Sequence, residues 1–187
     1  QVSEFEKENE HNMRKIIVIM ANLVWVGQVY ALILRVSGDG TQDFEQIQSA
    51  IAQSCDGDTV LVYPGRYYEN LSMMGKNITL ASLELTTGNL EYKYNTIIDG
   101  GRNESVISIK NGESELTIRG FTITNGSGHM DLTTRLFRGG GIFLIGQGNV
   151  RNFYLINNVI RNNTASTGGG LFISTSNVFL SGNSIYD

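Results

Sequence analysis

The sequence predicts an all-β chain in which short strand–turn–strand units repeat as a solenoid. Two observations carry this prediction: β-branched runs separated by Gly, Asn or Asp, and similarity between successive segments of the chain. The composition allows a folded core, since 41% of the 187 residues are hydrophobic and only 17% are charged. The length suits one domain.

Composition also excludes several classes of protein. The single cysteine excludes an intrachain disulfide framework and a multi-cysteine zinc site. A net charge of -4 provides no basic field, so we expect no nucleic-acid partner. The 22 glycines have no Gly-X-Y period, which excludes collagen. The glycine excess therefore needs a different explanation.

The sequence of the N-terminal region indicates that the protein is exported. Residues 1–12 form a polar, acid-rich extension, and residues 13–31 have the parts of a secretory signal peptide. A basic start precedes the apolar run 16–26, and Val29 and Ala31 approximate a small-residue cleavage site. The run is shorter than the about 20 residues of a membrane helix, so we expect no membrane span in the mature chain. A retained anchor or a buried strand is the alternative.

The domain is expected to span residues 32–187 and to begin with a strand over residues 32–36. One helix is predicted, over residues 43–54, with Asp43 as the N-cap and Gln46 as its capping-box partner. Its apolar face would consist of Phe44, Ile47, Ala50 and Ile51. We expect this helix to cover the exposed edge of the first repeat, and Cys55 after it to be buried.

Later strands are predicted over residues 59–63, 77–81, 96–100 and 106–109. Such runs suit a sandwich or a barrel equally well, and self-similarity decides in favour of a solenoid. Residues 116–125, 154–162 and 179–187 align, and their equivalent apolar positions are Ile118, Leu155 and Leu180, followed by Ile123, Ile160 and Ile185. A Gly-Gly-Gly-Ile/Leu-Phe element also occurs twice, beginning at Gly139 and at Gly168.

Sharp turns are expected between the two strands of each aligned unit. Gly120, Asn157 and Gly182 occupy the equivalent turn position. Glycine adopts positive φ freely, and asparagine tolerates it better than most residues. This requirement accounts for part of the glycine excess.

The motifs resemble the right-handed parallel β-helix (pectin lyase-like) superfamily, which includes pectate lyases and pectin esterases. The segments that carry the resemblance are residues 38–51, 57–65, 67–70, 75–80, 96–100, 120–126 and the two glycine triplets. The chain is most similar to bacterial exported β-helix repeat proteins. The resemblance implies a secreted or cell-surface location, a monomer, and a domain that is the N-terminal part of a longer β-helix, truncated at its C-terminus.

One short motif is similar to the first signature of pectin esterases: Gly65-x-Tyr67-x-Glu69. That family has its aspartate pair and arginine in later segments, none of which occurs in this sequence. We therefore interpret the motif as the turn after the first strand.

The largest irregular insertion, residues 126–138, contains His129, Asp131, Arg135 and Arg138. These four are the candidate ligand-binding residues, because loops on a rigid scaffold often carry the site. By the resemblance, Arg135 or Arg138 would pair with a uronate carboxylate. The alternative is an exposed loop without a ligand. No metal site or other cofactor is predicted. Calcium is expected as a cofactor only if the protein is a lyase.

The sequence thus predicts an exported module that binds carbohydrate or mediates adhesion, with a polysaccharide as partner and no assignable catalysis. The alternative is a polysaccharide-active enzyme, a lyase or an esterase, whose catalytic residues lie beyond this segment. A third interpretation is a structural spacer.

Overall fold

A computed structural model describes residues 30–146, 152–174 and 177–186. The chain divides into two units, residues 1–30 and residues 31–187, and the description below concerns the second. The predicted polar extension and nearly all of the predicted signal peptide lie outside the described residues, so both stay predictions. No helix among the described residues is long and apolar enough to cross a membrane.

The described fold is mostly β-structure, which confirms the all-β prediction. In chain order the strands are β1 (Ile33–Val36), β2 (Thr59–Val62), β3 (Gly65–Tyr68), β4 (Leu71–Ser72), β5 (Thr79–Ser82), β6 (Thr96–Asp99), β7 (Ile107–Ile109), β8 (Glu115–Arg119), β9 (Thr122–Thr124), β10 (His129–Met130), β11 (Phe137–Arg138), β12 (Ile142–Ile145), β13 (Asn152–Ile156), β14 (Val159–Arg161), β15 (Leu171–Ser174), β16 (Asn177–Ser181) and β17 (Ser184–Tyr186). The helices are α1 (Ile47–Gln53), α2 (Glu84–Thr87) and α3 (Tyr92–Asn95).

The strands form three parallel sheets and one antiparallel hairpin. Sheet A has the order β1-β2-β5-β8-β13-β16, sheet B has β3-β6-β9-β14-β17, and sheet C has β4-β7-β12-β15. From β2 onward the chain visits sheets A, B and C in rotation, interrupted by the hairpin β10–β11. Within each sheet, a strand that is not at the end therefore pairs with strands one rotation earlier and one rotation later.

The strand register confirms the alignment predicted from the sequence. Leu155 pairs with Ile118 on one side and with Leu180 on the other. The same holds on sheet B, where Ile160 lies between Ile123 and Ile185. The strands after the two glycine triplets also pair, with Ile142 opposite Leu171.

The core consists of stacked inward-facing aliphatic side chains from the three sheets. Their buried members include Val60, Leu80, Ile118 and Leu155 of sheet A, Ile98, Ile123 and Ile160 of sheet B, and Ile107, Ile109, Ile142 and Leu144 of sheet C. Because side chains alternate along a strand, the residues between them face outward and line the surface of each sheet.

The three aligned turns between sheets A and B, after β8, β13 and β16, have the predicted left-handed conformation. Gly120, Asn157 and Gly182 have φ of 76°, 55° and 64°. The following residue, Asn158, is fully buried. Its Oδ1 accepts from the Phe121 N–H at 3.1 Å, and its Nδ2 donates to the Ile118 carbonyl at 2.9 Å. One buried amide therefore satisfies two backbone groups at this corner.

Helix α1 differs from the prediction at its start and at its cap. It begins at Ile47 rather than at residue 43, and Gln46 makes no side-chain cap. The predicted Asp43 cap is wrong, because Asp43 Oδ2 accepts from the Arg35 N–H instead, at 2.9 Å. Glu69 supplies the cap from a distant segment: its carboxylate oxygens accept from the N–H groups of Ile47 at 2.9 Å and Gln48 at 2.8 Å.

The other end of α1 is also held by a distant side chain. Lys76 Nζ donates to the carbonyls of Ile51, Ala52 and Ser54 at 2.7, 2.6 and 2.6 Å. The helix packs on β1, β2 and β4, so it covers edge strands of sheets A and C, as the sequence predicted for this segment. Cys55 beyond it is exposed, contrary to the prediction of burial.

The Gly65-x-Tyr67-x-Glu69 motif has a structural role in this fold. Tyr67 is buried, and its hydroxyl donates to the Tyr63 carbonyl at 2.9 Å, while Glu69 caps α1. The Tyr67 hydroxyl and the Glu69 carboxylate therefore both stabilise the N-terminal part of the described fold.

Two short helices were not predicted, because their sequence has no extended apolar period. Helices α2 and α3 fill the connection between sheets A and B after β5. Buried Glu84 of α2 forms an ion pair with Arg119 of β8. Arg119 Nε and Nη2 both donate to the Glu84 carboxylate. Glu84 also accepts from Asn157 Nδ2 at 2.9 Å, so the insertion is bound to the A–B corner.

We predict that Glu69→Ala lowers the free energy of unfolding by about 1–2 kcal/mol, the usual cost of losing an N-cap. The Glu69 carboxylate accepts from two N–H groups of the first turn of α1, and alanine would leave both N–H groups without this acceptor. Urea unfolding measures the loss. Glu91→Gln, at an exposed residue next to α3, is the matched control and should leave stability unchanged. Equal effects of both variants would contradict the capping role.

We predict that Asn158→Ala costs about 2–3 kcal/mol, because buried backbone groups lose their partners. Asn103 is an exposed asparagine. Asn103→Ala is the matched control and should leave the stability unchanged in the same urea titration, because water reaches the polar groups at that position. Equal losses in the two variants would refute the importance of the buried amide.

Candidate functional site

The insertion at residues 126–138 forms a short hairpin between β9 of sheet B and β12 of sheet C. Its strands pair antiparallel, with His129 opposite Arg138. Asp131 shapes the hairpin turn: its Oδ1 accepts from the N–H groups of Thr133 at 2.8 Å and Thr134 at 3.1 Å. The insertion therefore contains an ordered hairpin, and its role as a ligand site stays a prediction.

The hairpin and the outer face of sheet C enclose a groove of about 490 Å³. The residues that line this sheet C groove are Lys110, Asn111, His129, Met130, Asp131, Leu132, Arg138, Phe143 and Ile145. Of the four residues predicted from the sequence, the structure brings together His129, Asp131 and Arg138. Arg135 lies outside the lining, exposed at the hairpin turn with φ of 58°.

Arg138 is fixed by two contacts. Its Nη2 lies 3.2 Å from Asp131 Oδ2, and its guanidinium carbon lies 5.2 Å from the centre of the Phe172 ring. The Phe172 ring stacks on the Phe143 ring of the neighbouring strand, with 5.7 Å between centroids. The arginine is thus positioned at the groove by an aromatic pair on the outer face of sheet C.

His129 packs into the same aromatic surface. Its ring centroid lies 4.8 Å from that of Phe143, and its Nε2 lies 3.3 Å from Lys110 Nζ. An ammonium group only donates, so Nε2 accepts and the neutral imidazole has its proton on Nδ1. That Nδ1 is buried and has no hydrogen-bond partner among the described residues.

The titratable groups of the groove are shifted in directions that follow from these contacts. Burial lowers the pKa of His129, and the charge of Lys110 lowers it further, against smaller opposite effects of Glu104 and Asp131. The pKa of Asp131 is lowered because the N–H groups of Thr134 and Thr133 donate to its carboxylate. Near neutral pH the groove therefore presents two cations, one carboxylate and a neutral imidazole.

No group of three or more His, Cys, Asp or Glu side chains that could hold a metal ion occurs among the described residues. The groove lining contains a single carboxylate, and Asp131 uses one oxygen for the hairpin turn and the other for Arg138. The arrangement can attract an anion and contact an apolar surface.

Sequence reasoning missed most of the groove lining, including Lys110 and Phe143. Phe143 could have been predicted, because the element Gly-Gly-Gly-Ile/Leu-Phe occurs twice in the sequence and its two phenylalanines, Phe143 and Phe172, pair across neighbouring strands. Lys110 directly follows β7, and nothing in the sequence brings it to the hairpin.

We predict that His129 makes stability depend on pH. Its pKa is lowered in the folded protein, so the unfolded chain binds the proton more readily, and stability falls as pH drops below the unfolded value of about 6.5. His129→Gln is neutral at every pH and should remove this part of the dependence. Urea unfolding of both proteins between about pH 5 and 8 measures it. Parallel profiles for the two proteins would contradict the prediction.

Comparison with known proteins assigns no family to the chain. No protein-family model matches the sequence, and no curated protein matches it. The resemblance to pectin lyase-like proteins therefore depends on the sequence motifs alone. Any function has to be argued from the geometry and chemistry of the described residues.

Proposed function

We propose that the chain is part of an exported right-handed parallel β-helix that binds a carboxylated polysaccharide in the sheet C groove. The observation that carries the proposal is the pair of cations at the groove, Lys110 beside His129 and Arg138 packed on the Phe172 ring. In this proposal the protein is a monomeric, non-catalytic binding module of the cell surface or the secreted fraction.

The β-helix proposal is supported by the path of the chain. The strands enter three parallel sheets in rotation, and equivalent residues of successive rotations pair with one another. Positive φ recurs at the same corner, at Gly120, Asn157 and Gly182. Each of these features is expected of a chain that coils around a single core.

The groove suits a carboxylated sugar for electrostatic reasons. Guanidinium groups match carboxylates in a two-pronged geometry, and the contacts of Arg138 with Phe172 and Asp131 restrict its motion before a ligand arrives. Lys110 adds a second positive charge, with its Nζ 3.3 Å from His129 Nε2. The exposed apolar residues Met130 and Leu132 offer surface to the apolar face of a sugar ring.

Binding is favoured over catalysis because the one carboxylate of the groove is already engaged. General acid–base cleavage needs a group that can exchange a proton with the substrate. Asp131 accepts from two backbone N–H groups and pairs with Arg138, contacts that keep it ionised. His129 Nε2 faces the Lys110 ammonium. No observation in the described residues favours the enzyme alternative.

We predict that Arg138→Ala weakens binding of polygalacturonate oligomers by about ten- to a hundredfold, the range for losing a charge-assisted hydrogen bond. Isothermal titration calorimetry of the chain measures the affinity, which should also fall with added salt. The matched control is Arg135→Ala, in the same hairpin but outside the groove, and it should bind as the unmodified chain does.

Two results would overturn the proposed function. One is the absence of saturable binding to any carboxylated oligosaccharide. The other is an equal loss of affinity in Arg135→Ala and Arg138→Ala, which would indicate non-specific attraction. Release of shortened oligomers from the polymer would favour the enzyme instead.

A further inference from the structure

His129 is the groove residue whose charge can change near neutral pH. Of the described residues that line the sheet C groove, it alone has an ordinary pKa, about 6.5, in the physiological range. Lys110 and Arg138 are cations. Asp131 is ionised, because two backbone N–H groups of the hairpin turn donate to its carboxylate. The net charge that the groove offers to a ligand therefore depends on His129.

Neither ring nitrogen of His129 has a contact that would stabilise a second proton. Nε2 lies 3.3 Å from Lys110 Nζ, and an ammonium group can only donate to it. Nδ1 is buried and has no acceptor among the described residues. The ring packs against Phe143 of β12, which carries no charge. An imidazolium would place an N–H against the ammonium group, so the arrangement favours the neutral ring.

The charged groups around His129 come from the hairpin and from the chain on either side of β7. Lys110 follows β7, and exposed Glu104 precedes it. Asp131 belongs to the hairpin, and Arg138 lies directly opposite His129 in it. Burial and the charge of Lys110 lower the pKa of His129, and the two carboxylates oppose them only in part. One further negative charge beside the ring would therefore shift this balance toward the imidazolium.

A ligand carboxylate at Lys110 and His129 would supply that charge. Both side chains line the groove, so one ligand group can contact both. A carboxylate accepts hydrogen bonds only, and it can accept from the ammonium and from a protonated Nε2 together. An opposite charge within about 4–6 Å favours the charged form of a titratable group. The contact between Nζ and Nε2 would then be replaced by two contacts to the ligand.

We propose that His129 takes up one proton from solvent when a carboxylated glycan binds in the sheet C groove, and then donates from Nε2 to the ligand carboxylate. This proposal rests on the proposed function of the groove. In the free protein the neutral ring accepts from Lys110 instead. Because proton uptake and ligand binding are reciprocally coupled, the glycan binds more tightly as pH falls. The groove thus holds its polymer more firmly under mildly acidic conditions than under alkaline ones.

The test is isothermal titration calorimetry of polygalacturonate oligomers between about pH 5 and 8, where histidine titrates and the sugar carboxylates stay ionised. We expect the affinity of the unmodified chain to rise by up to about tenfold toward the acidic end, the change for a ligand that raises one pKa by one unit. Near the midpoint, the heat of binding should depend on the ionisation enthalpy of the buffer, because the buffer supplies the proton.

His129→Gln is the decisive variant. Glutamine retains an acceptor for the Lys110 ammonium but does not titrate, so its affinity should be independent of pH and of the buffer. The matched control is His11→Gln, which replaces the other histidine of the chain, outside the described residues, and should keep the pH profile of the unmodified chain. Proton NMR of the His11→Gln chain follows the His129 ring directly, and the oligomer should raise the pKa of that ring.

The outcomes separate this proposal from the one on which it rests. Saturable binding with the same affinity at every pH, or the same pH profile in His129→Gln, would overturn the proton coupling and leave the binding site in place. A His129 pKa that the oligomer does not raise would do the same, and this measurement needs no change at His129. Absence of saturable binding at every pH would overturn the proposed function and the coupling together.

Discussion

One constraint governs this structure: every inward side chain must pack against its equivalent from the next rotation of the chain. Parallel strands in a sheet lie about 4.7–4.9 Å apart, so Ile123, Ile160 and Ile185 form a continuous stack on sheet B. The stack holds only if the chain turns at the same place each time. This is why the corner residues Gly120 and Asn157 share a left-handed backbone. Core packing and corner geometry therefore impose the same repeat on the sequence.

The same register that builds the core also arranges the surface. Since side chains alternate, fixing the inward stacks fixes the outward rows, and residues far apart in sequence become neighbours across strands. Phe143 meets Phe172 on sheet C in this way, and Tyr154 meets Phe179 on sheet A. Insertions then make one row differ from another: the β10–β11 hairpin brings His129 over Phe143. Binding surfaces in this fold thus need few residues beyond those that the repeat already positions.

Much of the repeat was predictable because it depends on local sequence. Most strands, the paired isoleucines and the turn glycines follow from residue type and spacing, whereas short strands such as β3 and β4 do not. The start of α1 was not predictable, since its cap is Glu69, which lies 22 residues from Ile47 in the chain, and a local capping rule selects Asp43 instead. For the candidate site, the insertion itself marked three of the groove residues. The approach of Lys110 to His129 depends on the folded hairpin, which no local pattern shows.

The sheet C groove shows how an insertion adds charge to a surface that the repeat has already formed. The strand register sets Phe143 opposite Phe172, and the hairpin β10–β11 then brings His129 against Phe143 and Arg138 against Phe172. The same hairpin is held together by the ion pair of Arg138 with Asp131. The guanidinium group is therefore positioned by contacts within the protein, and a side chain that is already ordered loses less conformational freedom when it binds a ligand.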